Sequence, residues 1–443
     1  MRMPKTPPEI WDMFAALEPD RALLERTLSL DIDASSGGKY LHWDKLRHYQ
    51  PPEGLTHEQW WLAIKMKRLQ GRKAVPLMDR AGKPFSYCLV DPIHKMLHGI
   101  DQGAAGQIRI PEQITNPETR DQYQVSSLIQ EAITSSQIEG AATTREVAKE
   151  MIKTGRAPRD RSEQMILNNF ITMQRISALK AEPLSRDLVF EIHRIITQDT
   201  LEDPSAAGRF RQSDQRIAVM DMYNQVFHTP PPAHQLDSRL QAMCDFANES
   251  DSEVFVHPVI RSIILHFWLA YDHPFVDGNG RAARALFYWS MLRHGYWLFE
   301  FISISGIIRR APAIYGRAFL YTETDDNDLT YFIIYHLRVI ERAVRQLHEY
   351  IAQRTRRLQE IDRRLRGFAE LNHRQRELIS HALRHPHHRY TIRSHQVSHS
   401  VVYQTSRMDL LDLVARGLLA KKKIRRTWYF TPAADLEERL AKM

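Results

Sequence analysis

Apolar residues recur at three- and four-residue spacing along most of this chain, and that period predicts a mainly helical protein. Val125, Leu128, Ile129, Ala132 and Ile133 form one such stripe from about Tyr123. Helices follow over 161–179, 185–200 and 235–248. The segment VIRSIILHFWLAY within 258–271 is apolar nearly all round, which predicts a helix buried at the centre of its domain. A further helix runs from about Asn279 to His294, where Gly295 ends it. Over 331–366 the stripe continues without Gly or Pro as one long helix, a rigid spacer or a helix packed along a neighbour. A coiled-coil homodimer is open here, although the seam is incomplete over 354–357.

The two ends read differently. Residues 1–115 hold Trp43, Trp60 and Trp61, then PLMDRAGKPFSYCLVD, a short β-hairpin with Ala81-Gly82 at its turn, and a helix over 92–101. This region predicts a small α/β accessory domain to which no chemistry can be assigned. The last stretch resembles a winged helix-turn-helix. Its helices are 374–384, a short one from about Arg393, and one through Tyr403 to Arg416 capped by Gly417. A short strand is expected at Tyr390-Thr391-Ile392, and strands over 418–423 and 428–431 flank a basic turn. The predicted domains are therefore 1–115, 116–330, a connecting helix 331–368, and 369–443.

Composition narrows the class. With 43% apolar and 26% charged residues in 443, the chain is an ordinary globular protein. The start, MRMPKTPPEIWDMF, has no apolar signal region, and no apolar run approaches 18 residues. Cys88 and Cys244 are far apart and belong to no CxxC pair. A cytoplasmic protein with reduced thiols and no membrane partner is expected. The formal charge is +8, and residues 371–443 alone hold 14 Lys/Arg against 6 Asp/Glu. The basic excess thus belongs to the C-terminal module, where a nucleic-acid hypothesis should be placed.

The richest chemistry lies in HPFVDGNGRAAR, residues 273–284, between two predicted helices. Gly278 and Gly280 let backbone amides approach an anion, and the helix start adds free N–H groups and a positive dipole end. Arg281 and Arg284, one turn apart, suit a polyphosphate. Asp277 is a carboxylate of the kind that shares Mg²⁺ with phosphate oxygens. His273 suits general-base work near neutral pH. His266, one turn into the apolar helix, reads as structural. Taken together, His273, Phe275, Asp277, Gly278, Asn279, Gly280, Arg281 and Arg284 match HxFx(D/E)GNGRxxR without a mismatch. Eight fixed positions arise by chance on the order of once in 10^10 windows.

By this motif the chain resembles the Fic family over about residues 120–325. The resemblance implies a Fic-type helical bundle with a β-hairpin flap, and transfer of AMP from ATP to a Ser, Thr or Tyr hydroxyl. His273 would be the base and Asp277 would bind Mg²⁺. Gly278, Asn279 and Gly280 would hold the phosphates. Arg281 would contact the β-phosphate, Arg284 the γ-phosphate, and Phe275 would seat the loop by packing. The metal carboxylate favours AMP over phosphocholine transfer. Gly208-Arg209-Phe210-Arg211 resembles the family's G-x-[FY]-R segment. The stretch 219–232 resembles its flap, with Val219, Met220, Asp221, Met222 and Tyr223 docking a target by β-augmentation. Tyr315 falls where the family places an adenine-side residue.

The segment Ser135-Ser136-Gln137-Ile138-Glu139-Gly140 resembles the family's inhibitory motif, [ST]xxxE[GN], at the end of a helix over about 123–140. Ser135 and Glu139 are i, i+4 neighbours. The resemblance implies that Glu139 pairs with Arg284, occupies the γ-phosphate position and leaves ATP in a non-productive pose. The same glutamate can assist AMP removal, so the reverse reaction stays open.

For the C-terminal module, Tyr403, Gln404, Ser406 and Arg407 on the third helix and Lys421, Lys422, Lys423, Arg425 and Arg426 in the wing are candidate DNA contacts. Asp409 and Asp412 on the same helix would oppose insertion near phosphates, and protein docking is the competing reading. Two function classes follow: an adenylylating enzyme acting on an unnamed protein or on itself, or a DNA-binding regulator whose Fic fold senses a nucleotide.

Overall fold

A computed structural model describes residues 2–442 apart from 30–31, 36, 53, 106–116, 216, 221–222, 250–253, 368–369 and 425–426. The chain divides into two compact units, Met1–Gly106 with Ser127–Val344, and Gln107–Ser126 with Arg345–Met443. Helices predominate, and three two-stranded antiparallel hairpins complete the described secondary structure.

In the first unit the helices Pro258–Asp272 and Asn279–Arg293 form the centre. Thirteen residues of each are buried, among them Ile263, Ile264, Phe267 and Trp268 on one and Leu286, Phe287, Tyr288 and Trp289 on the other. A helix with so little polar surface is stable only when covered on all sides. Arg161–Leu179, Arg186–Thr197 and Leu236–Ala247 help to provide that cover. Each of the first two starts on a side-chain cap, Asp160 and Ser185, that accepts from a backbone N–H in the first turn. The predicted boundaries hold within about three residues.

The N-terminal region packs in the same unit. Its hairpin joins Arg72–Met78 to Pro84–Cys88, and Gly82 at the turn has φ +83°, as the Ala81-Gly82 prediction requires. The helix His57–Gln70 opens on a Thr56/Gln59 capping box and sends two cations into the interior. Lys65 Nζ lies 2.5 Å from Asp325 Oδ1, and Arg68 donates to the Tyr331 hydroxyl at 2.6 Å. Tyr40 donates to Asp328 at 2.6 Å. Buried cations need such partners, because each left alone would cost several kcal/mol. The same contacts bind residues 40–68 to residues 325–331.

The long helix spans Thr330–Gly367. Its apolar stripe is covered within the chain: Ile333, Leu337, Ile340, Val344, Leu347 and Ile351 are buried, and Ile361 and Leu365 join the core of the second unit.

The second unit arranges helices His373–Arg384, Ile392–His399 and Tyr403–Ala415 around Leu378, Ile379, Leu410 and Leu413. The strands Leu419–Ile424 and Thr427–Pro432 follow, and a short helix, Leu436–Lys442, closes the chain. The strand expected at 390–392 is reduced to one residue. Tyr390 exchanges both backbone hydrogen bonds with Phe430, while Thr391 leaves the sheet to cap the next helix. No helix among the described residues is long and apolar enough to cross a membrane.

Candidate active site

Residues 273–284 link the two central helices. His273 ends the first in the left-handed region, with φ 44° and ψ 55°. A non-glycine residue there costs about 1–2 kcal/mol, so the surroundings must enforce it. They do: Arg211 donates through Nε to the His273 carbonyl at 2.8 Å and its main chain donates to Pro274 O at 2.9 Å. A second guanidinium nitrogen of Arg211 donates to the Pro231 carbonyl. The Gly208–Arg211 segment thus acts as the brace of the histidine.

The imidazole of His273 has its Nδ1 3.2 Å from the Ala270 carbonyl. A carbonyl only accepts, so Nδ1 carries the proton and Nε2 carries the lone pair. Burial pushes the ring down to about 4. His273 is therefore neutral at pH 7, with Nε2 ready to accept a proton.

The turn after it is locked from inside. Asn279 accepts from the Phe275 N–H at 2.9 Å and donates to the Phe275 carbonyl at 2.8 Å. The Asn279 amide is thus spent on the loop, and its backbone is what remains for a phosphate. Phe275 is buried and stacks on His193 at 3.7 Å between ring centroids. His193 donates through Nε2 to the Asp277 carbonyl and accepts at Nδ1 from the Gly208 N–H, both at 2.9 Å. Burial holds it near 4, so it is a neutral linker of fixed tautomer. Sequence reasoning missed His193. The signal was its place on the apolar stripe of Val189, Ile192 and Ile196.

Gly278 caps the second helix with φ +82°, and a Cβ there would press on Thr197. At Gly280 a Cβ would collide with the Glu139 carboxylate. The second glycine is thus needed for an anion to lie on the first turn of the helix, and here that anion is Glu139.

Both arginines are buried, with side-chain exposures of 0% for Arg281 and 1% for Arg284. Arg281 donates to the Ile196 carbonyl at 2.9 Å, while its Nε and one Nη have no hydrogen-bond partner. Burial pushes its pKa down, and Asp277, 3.7 Å away, does not restore it. Arg284 donates to Ser135 Oγ at 2.8 Å, Ser135 O at 3.0 Å and Glu139 Oε1 at 2.8 Å. Burial acts on it most strongly and in the same direction, but Glu139, Tyr315 and Glu131 together outweigh it and its pKa is raised. One Arg284 nitrogen is still without a partner. Three orphaned N–H-bearing nitrogens on two buried cations form a cradle whose chemistry suits a polyphosphate.

Glu139 reaches the cradle from the end of helix Pro117–Ile138, and Gly140, with φ +94°, turns the chain away. Two turns earlier, Glu131 is buried and accepts from Tyr288, Ser303, and both the backbone and side chain of Ser305. No local pattern marks this second carboxylate, which pins the same helix to the domain core.

Asp277 stands at the mouth, with a side chain 42% exposed. Its Oδ2 lies 3.2 Å from Arg161, another contact missed from sequence. Among the described residues no cluster of three or more His, Cys, Asp or Glu side chains could hold a metal. A lone accessible carboxylate next to a phosphate cradle fits Mg²⁺, which keeps waters and is completed by phosphate oxygens.

Tyr315 donates or accepts at His266 Nε2 over 2.9 Å. Burial pushes its phenol up to about 12 despite the nearby Arg284 charge, and His266 itself is fully buried, as its structural reading expects. The flap pairs Val219–Met220 with Val226–His228. Val219, Met220 and Val226 are exposed, and Tyr223 is 82% exposed. Asp221 and Met222 lie outside the described residues.

In the second unit, Gln404, Arg407, Lys421, Lys422 and Lys423 are exposed, while Arg425 and Arg426 lie outside the described residues. Two expectations are corrected. Ser406 is fully buried, because position 406 falls on the inward face with Leu410 and Leu413. Asp409 turns inward too and binds Arg374 at 2.7 Å, Asn372 at 2.7 Å and His395 at 3.1 Å. Asp412 accepts from Gln375 and Arg416. Asp409 is thus withdrawn from the outward face, while Asp412 stays 41% exposed with its charge paired to Arg416.

The Fic/DOC family model matches residues 183–291, the segment that carries both central helices and the loop between them. A protein named protein adenylyltransferase Fic from Nematostella vectensis is 29% identical over 168 residues, 37% of this chain and 37% of that protein. Protein adenylyltransferase fic-1 of Caenorhabditis elegans is 29% identical over 148 residues, 33% of this chain and 27% of that protein. The matched segments thus span well under half of these curated relatives. The fold is similar to a Fic family protein from Desulfovibrio desulfuricans, with a TM-score of 0.54 and 19% identity over 79% of this chain and 98% of that one. It also resembles Fic-1 of C. elegans, with a TM-score of 0.50 and 18% identity over 78% and 88% of the two chains.

Proposed function

We propose that this chain transfers AMP from ATP to a hydroxyl group of a protein and that Glu139 restrains the reaction. The observation that carries the proposal is the pair of buried guanidinium groups beside a neutral histidine. Arg281 and Arg284 keep three unpartnered nitrogens next to the anion-accepting first turn of the helix at Gly280. His273, at the start of the same loop, is neutral with its proton on Nδ1 and its lone pair on Nε2. The names of the matched relatives support AMP as the transferred group.

In the reaction so read, the acceptor hydroxyl oxygen forms a bond to the α-phosphorus of ATP while the α–β phosphoanhydride bond breaks. His273 Nε2 takes the hydroxyl proton, and pyrophosphate leaves with the bonding electron pair. Arg281 and Arg284 stabilise charge on the departing phosphates in a site of low dielectric. Asp277 would hold Mg²⁺, whose charge neutralises the phosphate oxygens. Phe275, Asn279 and His193 keep the loop in shape without touching the reactants. With Glu139 on Arg284, the outermost phosphate and the carboxylate compete for one cation, and ATP is held away from the in-line geometry.

The test is incubation with α-labelled ATP and Mg²⁺, followed by mass spectrometry for an adenylyl group on protein. Glu139→Gly should label itself or a lysate protein, and Glu139→Gly with His273→Ala should not. Labelling that persists without His273 would overturn the assignment of the base. Removal of AMP from pre-labelled protein by the wild type, faster than addition, would make the reverse reaction the main one.

A second reading concerns the C-terminal module alone. The inward turn of Asp409 and the pairing of Asp412 with Arg416 and Gln375 leave an outward face of Tyr403, Gln404, Arg407 and Met408 beside three exposed lysines. This supports a winged helix-turn-helix that binds duplex DNA, with localisation as its contribution to the enzyme. Buried, unbridged Cys88 and Cys244 support a reducing, cytoplasmic setting.

A further inference from the structure

The flap is two very short strands, and an isolated hairpin of that size is marginal in water. Something outside the hairpin must hold it. Its inner end is His228, a buried residue whose ring packs on Tyr271 with centroids 4.7 Å apart. His228 Nε2 is 2.7 Å from the Tyr271 carbonyl, and Nδ1 is 2.7 Å from Glu323 Oε2. Both partners are acceptors. A neutral imidazole donates only once, so this geometry is fully satisfied only by the imidazolium.

The surrounding charges agree. Glu323 faces the ring from helix Pro312–Thr324 and Asp272 from helix Pro258–Asp272, with Arg239 of helix Leu236–Ala247 bound to Asp272 at 2.5 Å. His273, neutral, and Arg211 complete the nearby titratable and charged groups. Burial pushes His228 down, but Glu323 and the Tyr271 carbonyl outweigh it and its pKa is raised above 6.5. Tyr271 precedes His273 by two residues, and His228 pairs with Val219 across the hairpin. One side chain therefore joins the foot of the flap to the turn that presents the base.

We propose that His228, as an imidazolium bridging Glu323 and the Tyr271 carbonyl, is the positioning residue that fixes the flap beside His273. The inference rests on the proposed function only in treating the flap as the element that docks an acceptor. A group whose folded pKa is raised contributes its full stabilisation below about 6.5, and that is lost as pH rises through the folded value. The clamp is thus closed below the His228 midpoint and opens as pH rises through it. His273, held near 4, does not titrate there, so an alkaline loss of acceptor docking belongs to His228.

The experiment uses the full chain as wild type, His228→Gln and Glu323→Gln. Exchange at the histidine C2 position, read by mass spectrometry, gives the His228 midpoint. Amide exchange of the Val226–His228 peptide, corrected for intrinsic chemistry, reads the flap from pH 6 to 9. In the wild type the midpoint should lie above 6.5, and flap amides should exchange at least about tenfold faster above it than below. Glu323→Gln should lower both midpoints by about one pH unit. His228→Gln should exchange fast at every pH. A midpoint at or below 6.5, or flap protection that ignores pH in the wild type, would overturn the proposal, and neither reading depends on a foldable variant. Absence of AMP transfer from the Glu139→Gly protein would instead sink the proposed function and leave these results standing.

Discussion

The chain concentrates positive charge in two places and builds them in opposite ways. Arg281 and Arg284 are buried, oriented by carbonyls and a serine, and left with donors that protein does not satisfy. Lys421, Lys422 and Lys423 stand in solvent on one strand, where Lys421 and Lys423 lie 5.6 and 5.7 Å from the Trp428 ring. The difference teaches what each site can ask of an anion. A buried cation with an orphaned donor gains from one well-placed anion and tolerates little variation in geometry. Exposed lysines gain mainly by releasing counterions from a polyanion, whatever its sequence, and salt erases the gain. The first arrangement suits chemistry and the second suits docking.

The strongest way to break this comparison is to remove the group that turns binding into reaction. In a Glu139→Gly background, His273→Ala should lower labelling from α-labelled ATP by about 10²–10⁴-fold, the usual worth of a positioned general base. ATP binding by calorimetry should change little, because the cradle is built by Arg281, Arg284 and the helix turn. Loss of binding together with labelling would mean that His273 shapes the cradle rather than serving the reaction.

The next effect concerns the brake. A hydrogen bond to a charged group contributes about 1.5–3 kcal/mol. Removing the Glu139 carboxylate from Arg284 should therefore raise labelling on the order of 10- to 100-fold over wild type. Glu139→Gln, which keeps the size of the side chain and loses its charge, should fall between the two. Equal labelling by wild type and Glu139→Gly would show that the observed Glu139–Arg284 pair has no inhibitory weight.

Acid pH probes the buried half of the comparison more broadly. His42, His193 and His273 are each held near 4 by burial. A depressed histidine pKa means that the unfolded chain takes up the proton first, so stability falls as pH drops from about 6.5 toward 4. At pH 5 each such histidine withdraws about 2 kcal/mol. The midpoint of thermal unfolding should be several degrees lower at pH 5 than at pH 7, while base function persists down to about pH 4 wherever the fold survives. An unfolding midpoint that rises on acidification would show that these rings are solvated.

How much of this was legible in the sequence differs between the two charge centres for a physical reason. The active-site loop is contiguous, and its glycines, arginines and histidine need one another within a dozen residues, so the pattern stands out. Its helices were legible because burial on all sides writes an apolar run. The braces were not: Arg211 meets His273 across 62 residues and Arg161 meets Asp277 across 116, and only packing brings them together. Glu131 looks like any helical glutamate until Tyr288 and Ser305 close over it. In the C-terminal helix the error was one of phase. Positions 403, 404, 407 and 408 face out and 406, 409, 410 and 413 face in, so the helical period itself assigns Ser406 and Asp409 to the interior.

That phase sets the smallest predicted effect, on the exposed side of the comparison. If the outward face and the lysine strand bind duplex DNA, each lysine that neutralises a phosphate releases about one counterion, and its replacement by alanine should lower the salt slope of log affinity by about one. A gel-shift titration of the full chain across 50–200 mM salt should therefore show the triple Lys421→Ala, Lys422→Ala, Lys423→Ala variant to have a salt slope shallower by about three, with similar weakening on any sequence. Arg407→Ala, on the helix face, should instead reduce preference among sequences more than it changes the slope. Ser406→Ala should do neither, since its hydroxyl is buried among Leu410 and Leu413 and never meets solvent. Binding that keeps its salt slope after all three lysines are removed would assign the strand to blocking edge pairing, and the module to protein docking rather than DNA.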